Sequence, residues 1–406
     1  MFDTMRKKIL LLTTIYPAPD LEYGTPSIHY FTREWVKMGF EVNVIHFQAV
    51  YPSIFYLFAK LCREKIASKT GAVVFTRKEK EDKHYNMDGV SIYRFPVFKK
   101  IPHGRYSGKV IINQVNKIIE IYEREGYSPE TIIGHFSNPQ LEIIPHLKQF
   151  YSARTCMIMH DVGKSIKSTF KKEYENLMSN IDIWGYRSIP IQRGFEENFG
   201  KPKHSFLCYS GIPAHYISKI NPRSFIGNLS QFAYVGELIK RKNPVVLVSA
   251  INKVYPEGNY QISYIGRGAE KVNILKLSNS LKTNELISFI GYIPRDEIQT
   301  VLDNTECMIM ISENETFGLV YLEAMARGCL TIGSRNEGID GVIEHGKNGF
   351  LCKSGDENEL AEIIREINSL TPNNRKQISD NAIATALELT DYKAAKTYLD
   401  AVNYYE

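Results

Sequence analysis

The sequence predicts an α/β protein built from two doubly wound parallel-sheet domains that face one another across a central cleft. Three observations carry this prediction. The 406 residues suffice for two domains of ordinary size, each with its own core. Short apolar runs alternate with helical patterns, the signature of parallel strands covered by helices on both faces. The alternation breaks near residue 220 and then starts again, which divides the chain at about 1–215 and 216–387.

Within the first half, residues 8–14 (KILLLTT) read as a buried strand ended by Pro17. A loop with Gly24, Thr25 and Pro26 follows, then a helix over 28–38 stopped by Gly39. Further strands are expected at 41–46, 90–95, 131–134, 155–160 and 182–186. The second half gives strands at 232–236, 260–266, 286–291, 307–311 and 330–334. Helices are expected between them at 244–254, 269–280, 295–303 and 318–327, with another over 357–370. Two such units bind ligands best where the carboxyl ends of their strands meet the cleft.

Composition excludes several classes. An apolar fraction of 43% and a charged fraction of 23% are those of a soluble globular protein. The apolar run near the start is short and lacks a small-x-small cleavage site, and no stretch is long enough to span a bilayer. Six scattered cysteines without a Cys-x-x-Cys pair read as reduced core thiols, which places the protein in the cytoplasm. Residues 51–109 hold 13 basic against 5 acidic residues, interleaved with aromatics. That pattern suits an anionic membrane surface or an anionic acceptor, the alternative being an ordinary helix with snorkelling lysines. No nucleic-acid partner is expected.

The chemistry concentrates in ENETFGLVYLEAMARG, residues 313–328. Glu315 and Glu323 bracket an apolar turn that joins an expected strand to an expected helix. Free N–H groups of Phe317, Gly318 and Leu319 at that helix start would form a phosphate site. A carboxylate on either side would then bond the sugar hydroxyls of a diphosphate's two substituents. The alternative is a helix cap for Glu315 and a buried ion pair for Glu323. In YVGELIKRKN (234–243), Gly236 ends a strand and three cations follow, with Arg241 and Lys242 placed to neutralise phosphate charge. His160 and Asp161 lie at the end of another apolar strand. No Walker loop, nucleophile elbow, metal-spaced cluster or Asp-x-Asp is present, so a metal-independent site is expected in which protein cations neutralise the diphosphate.

Taken together, these pieces resemble the retaining GT-B glycosyltransferases of family 4. The resemblance rests on the Glu315-x7-Glu323 block, on 336–351 (NEGIDGVIEHGKNGFL), and on YVGELIKRKN, YIGRGAE and FIGYI. It is close over 220–406 and loose before that. The resemblance implies that Glu315 contacts the donor sugar, Glu323 the ribose and Lys242 the diphosphate. Main-chain groups of Phe317, Gly318 and Leu319 would hold phosphate oxygens, and those near Tyr292 and Ile293 the base. Gly236 and Gly266 fall in matching glycine turns, His160 matches a histidine near the donor sugar, and Gly24-Thr25 matches the phosphate loop of the first domain. A last helix, about 388–406, would cross back to the first domain. The chain departs from the pattern at Glu237, where many relatives carry arginine, and Arg241 is the available substitute.

The resulting expectation is a retaining transferase that uses a nucleoside diphosphate sugar, UDP-linked, with no cofactor. It would move a hexose or N-acetylhexosamine to a glycan or lipid-linked glycan acceptor in cell-surface polysaccharide or glycoconjugate synthesis. The catalytic residues would be Glu315, His160 and Lys242. A sugar-nucleotide 2-epimerase and a non-catalytic sugar-nucleotide-binding subunit are the alternatives.

Overall fold

The structure, a computed structural model, describes residues 7–20, 26–59, 62, 76–217 and 223–403. Gly24 and Thr25, and much of the basic segment, lie outside them.

Eight strands form the first sheet: β1 (Lys8–Thr13), β2 (Glu41–Val50), β3 (Lys83–Met87), β4 (Val90–Phe98), β5 (Thr131–His135), β6 (Arg154–Met159), β7 (Ile183–Tyr186) and β8 (Ser205–Leu207). Their order is β3-β4-β2-β1-β5-β6-β7-β8, and every pairing is parallel except β3 with β4. Between them run α1 (Ser27–Lys37), α2 (Gly108–Glu125), α3 (Gln140–Tyr151), α4 (Lys164–Phe170), α5 (Tyr174–Met178) and α6 (Ile189–Phe199). One face of the sheet packs on α2 and α3 through Ile118, Tyr122, Ile144 and Leu147, all fully buried.

The second sheet has six parallel strands: β9 (Gln231–Val235), β10 (Gln261–Ile265), β11 (Ile287–Gly291), β12 (Cys307–Ile309), β13 (Leu330–Ser334) and β14 (Phe350–Cys352). Its order is β11-β10-β9-β12-β13-β14. The helices are α7 (Pro244–Val254), α8 (Lys271–Leu281), α9 (Arg295–Asp303), α10 (Leu319–Ala326), α11 (Glu357–Ser369) and α12 (Pro372–Glu388). A single core cluster, in which β12 and β13 are buried throughout and α10 is buried from Val320 on, fills this domain.

A last helix, α13 (Asp391–Asn403), leaves the second domain and packs on α1 in the other face of the first sheet. Tyr398 meets Trp35 and Phe31 edge-on, and the Trp35 indole N–H donates to Ala395 O at 3.0 Å. The chain thus crosses between the domains twice, and the crossings touch. Ile212 N–H donates to Leu389 O at 2.9 Å, and Asp391 N–H donates to Ile212 O at 2.8 Å. Gly211 is required there, because a Cβ would come within 2.3 Å of the Thr390 carbonyl carbon.

Most expected elements fall within one or two residues of the observed ones. The largest differences are β2, which runs four residues further, to Val50, and β4, which runs three further, to Phe98. Strands β3, β8 and β14 and helices α2 to α6 and α12 add to the expected set.

Candidate active site

Both sheets reverse direction beside their first strand. In the second sheet the chain runs β9, β10, β11 outward and then returns to place β12 on the other side of β9. The loops after β9 and β12 therefore diverge and leave a crevice at the carboxyl edge, the usual position of a ligand site in such sheets. The two motifs singled out in the sequence are these two loops.

After β9 the chain turns through a short 3₁₀ segment, Lys240–Lys242. Asn243 ends it with a left-handed backbone (φ 49°), and its Nδ2 donates to Ile311 O at 2.8 Å, tying this loop to the one after β12. Lys242 Nζ then lies 3.4 Å from Glu315 Oε2, and Arg241 Nη1 lies 3.8 Å from the same oxygen. Arg241 also donates to the carbonyls of Glu313 (3.3 Å) and Asn314 (3.4 Å). Glu315 Oε2 is buried yet accepts no aligned hydrogen bond from any described residue, an arrangement that leaves the carboxylate short of partners. Glu237, where relatives carry arginine, is exposed and outside this group.

The loop that carries Glu315 is held from behind. Glu315 N–H donates to Glu337 Oε2 at 2.8 Å, and Gly338 N–H donates to Glu315 O at 2.9 Å. Burial pushes the Glu337 carboxyl above its ordinary range. Gly338 packs so closely that a Cβ would lie 2.4 Å from Phe317 N. Gly318 turns the chain into α10 with φ 82°, a conformation glycine adopts without strain. The N–H groups of Phe317, Gly318 and Leu319 donate to no described residue, so three donors point out of the helix start.

Glu323 lies little more than a turn inside α10 and is buried. Its Oε1 accepts from Arg295 Nε at 2.5 Å. Burial raises this carboxyl, and the arginine pulls the other way. The Arg295 guanidinium lies over the ring of Tyr30 of the first domain, 4.6 Å from its centroid. Glu323 is thus buried and ion-paired in this structure. Gly236 and Gly266 abut at the floor between β9 and β10, where a Cβ on Gly266 would strike Gly236 O at 1.9 Å. Gly266 N–H donates to Gly291 O at 2.8 Å, beside Tyr292 and Ile293. Tyr292 is two-thirds exposed, with the Arg267 guanidinium over its ring at 5.1 Å.

The first domain supplies the opposite wall. Thr316 Oγ1 donates to His160 O at 3.3 Å, which brings the end of β6 directly onto the Glu315 loop. Phe136 stacks on the His160 ring at 4.0 Å. Asp161, itself exposed, caps its own loop, accepting from Gly163 N–H at 2.6 Å. Phe317 stacks on Tyr209 and faces the Arg187 guanidinium at 5.7 Å, which fixes the helix start against the first domain. Lys242, Arg241, Glu315, Phe317, Gly318 and His160 thus surround one crevice. Sequence reasoning missed Glu337, Arg295, Arg187 and His135; each acts through a partner at least 21 positions away in the chain. Among the described residues no three His, Cys, Asp or Glu side chains cluster as a metal site.

Comparison with known proteins agrees with this geometry. Residues 219–385 match the family model described as glycosyl transferases group 1. The second domain belongs to that family. The group 1 region aligns with N-acetyl-alpha-D-glucosaminyl L-malate synthase of Bacillus anthracis, 36% identical over 129 residues. That alignment covers 32% of this chain and 33% of the relative, so it spans about a third of that protein's length. Sucrose-phosphate synthase from Thermosynechococcus elongatus superposes with a TM-score of 0.68 at 17% identity, covering 97% of both chains. Anabaena HepE, solved with UDP and glucose, superposes with a TM-score of 0.65 at 16% identity, covering 98% of this chain and 100% of that one. The group 1 domain and the domain before it together have the GT-B fold.

Proposed function

We propose that the protein transfers a sugar, a hexose or N-acetylhexosamine, from a nucleoside diphosphate donor to an acceptor hydroxyl with retention of anomeric configuration. The observation that carries this reading is Lys242 Nζ at 3.4 Å from Glu315 Oε2, beside three N–H groups at the start of α10 that donate to no described residue. Cation and N–H donors suit the diphosphate, and the carboxylate suits a sugar hydroxyl. The diphosphate charge is neutralised by Lys242, Arg241 and the helix start, with no cofactor; Arg241 takes the place of the arginine absent at Glu237. The bond from the anomeric carbon to the diphosphate breaks, and a bond to the acceptor oxygen forms on the same face. The acceptor's proton passes to the departing phosphate oxygen, so no separate general base is needed. UDP is the favoured carrier, as in the HepE complex.

The acceptor, a glycan or lipid-linked glycan, binds the first domain. Ile54, Leu57 and Phe58 are more than half exposed within the basic 51–109 segment, which supports contact with an anionic membrane face. Among the described residues no helix is long and apolar enough to cross a membrane. Flotation with anionic vesicles at low salt tests the contact, and absence of binding removes it.

Thermal-shift screening of UDP-, GDP- and ADP-sugars tests the donor reading, because a ligand that binds only the folded state raises Tm with its saturation. Failure of every sugar nucleotide to shift the wild-type protein would overturn it. Incubating the donor without acceptor separates transferase from 2-epimerase, since an epimer as product identifies the latter.

A further inference from the structure

The His160 ring is the end of a buried hydrogen-bond chain. Its Nε2 lies 3.0 Å from His135 Nδ1, and His135 Nε2 lies 3.2 Å from the Tyr398 hydroxyl. His135 is at the last position of β5, His160 directly follows β6, and Tyr398 comes from α13, 263 positions from His135. His135 and Tyr398 are sealed from solvent. Phe136 stacked on one face and Thr316 bonded to the main chain hold the His160 ring in place.

The direction of this chain is decided by its buried end. A phenol in a sealed site has to give its proton to something, and among the described residues Tyr398 has no acceptor except His135 Nε2. If Tyr398 accepted instead, its own O–H would be left unpaired in an apolar pocket made by Trp35, Phe31 and Phe206. Tyr398 therefore donates to His135 Nε2, which puts the single proton of a neutral His135 on Nδ1. That proton is donated to His160 Nε2, and the proton of His160 must then sit on its Nδ1. Burial holds both imidazoles well below their ordinary pKa, and the nearby Arg187 guanidinium adds to this. Nδ1 of His160 has no partner among the described residues, so the N–H it carries is available at the crevice.

We propose that Tyr398 and His135 are positioning residues that lock His160 in the neutral Nδ1–H tautomer, so that the crevice is offered a hydrogen-bond donor rather than a lone pair. This rests on the donor reading above in one respect only, that the group receiving the N–H is a hydroxyl or ring oxygen of the bound sugar. It gives α13 a role in the chemistry as well as in packing. It also assigns His160 the part of a polar contact, not that of a base.

The experiment is long-range ¹H–¹⁵N correlation on the full chain labelled at histidine, with His160→Gln used to assign the signal. The expected result in the wild type is a protonated Nδ1 and an unprotonated Nε2 at His160. Tyr398→Phe keeps the ring packing and removes the hydroxyl, and it should convert His160 to a mixture of tautomers. In transfer assays the same change should lower kcat about ten-fold while the donor KM moves less than about two-fold, the split expected when a group acts in the transition state. His135→Asn places an amide N–H near the original Nδ1–H and should retain the His160 tautomer and most of kcat, whereas His135→Leu should lose both. A wild-type His160 protonated on Nε2 would overturn the proposal, as would an unchanged tautomer in folded Tyr398→Phe. Because the tautomer is read without substrate, failure of the donor reading leaves this result separately decidable.

Discussion

The two walls of the crevice are built on opposite principles. The second domain's wall is ionic and local: Lys242, Arg241, Glu315 and Glu337 come from loops at the ends of β9, β12 and β13. The first domain's wall presents uncharged groups and is assembled from afar: two histidines, a stacked phenylalanine and a tyrosine supplied by α13, with the Arg187 guanidinium buried behind them. A wall that holds a diphosphate needs fixed opposite charge. A wall that faces a sugar needs oriented neutral donors, since a cation there would compete for the same phosphate.

Four tests would sharpen or break this contrast. The largest effect is expected from Trp35→Ala, which leaves a cavity where α13 docks and should cost about 3–5 kcal/mol of stability. Chemical denaturation measures it; a loss under about 1 kcal/mol would mean that α13 is not held by that contact. Next, Lys242→Ala should lower kcat/KM for sugar transfer by about 100-fold, about 2.7 kcal/mol, with an unchanged melting curve. Near-normal transfer by the folded variant sinks the ionic description of that wall. Gly318→Ala forces a side chain into a left-handed turn and against the Tyr321 ring, and should cost about 1–2 kcal/mol while weakening donor affinity. Calorimetric titration with UDP that shows wild-type affinity would remove the helix start from the site.

A last test concerns pH. His135 is held well below its ordinary value, and His46 is pushed down to about 4, both by burial. An unfolded histidine takes its proton near pH 6.5, so below that the unfolded state binds more protons than the folded one. Stability is therefore fully present above pH 6.5 and declines as pH falls, by up to about 1.4 kcal/mol per pH unit for each such histidine. Urea midpoints at pH 7.5, 6.0 and 5.0 follow it; a flat profile would show that these rings are protonated in the fold.

The contrast also explains what was legible in the sequence. The ionic wall was readable because its residues are close along the chain and sit beside strong strand and helix signals, as Glu315 does between β12 and α10. Helix α2 was readable too, through Ile111, Val115, Ile118 and Tyr122 at helical spacing, but was overlooked. Strand β3 (KHYNM) alternates only between half-buried and exposed positions, and its inner face mixes Lys83 with Tyr85 and Met87, so its sequence shows no clear apolar alternation. Arg295 was out of reach for another reason: it meets Glu323 through the packing of α9 against α10, which no local pattern encodes. The same holds for His135 and Tyr398, whose contact depends on α13 crossing back.

That crossing sets an order of events during synthesis. The second domain's core is continuous in the chain apart from the linker residues Ile212 and Tyr216, and it can close as soon as residues through α12 have emerged. One layer of the first domain's core contains Ala395, Tyr398 and Val402 among residues 9–208. Until residues through 403 are available, the half made first keeps an open apolar groove along Phe31 and Trp35. The domain translated second is then the first that can finish folding.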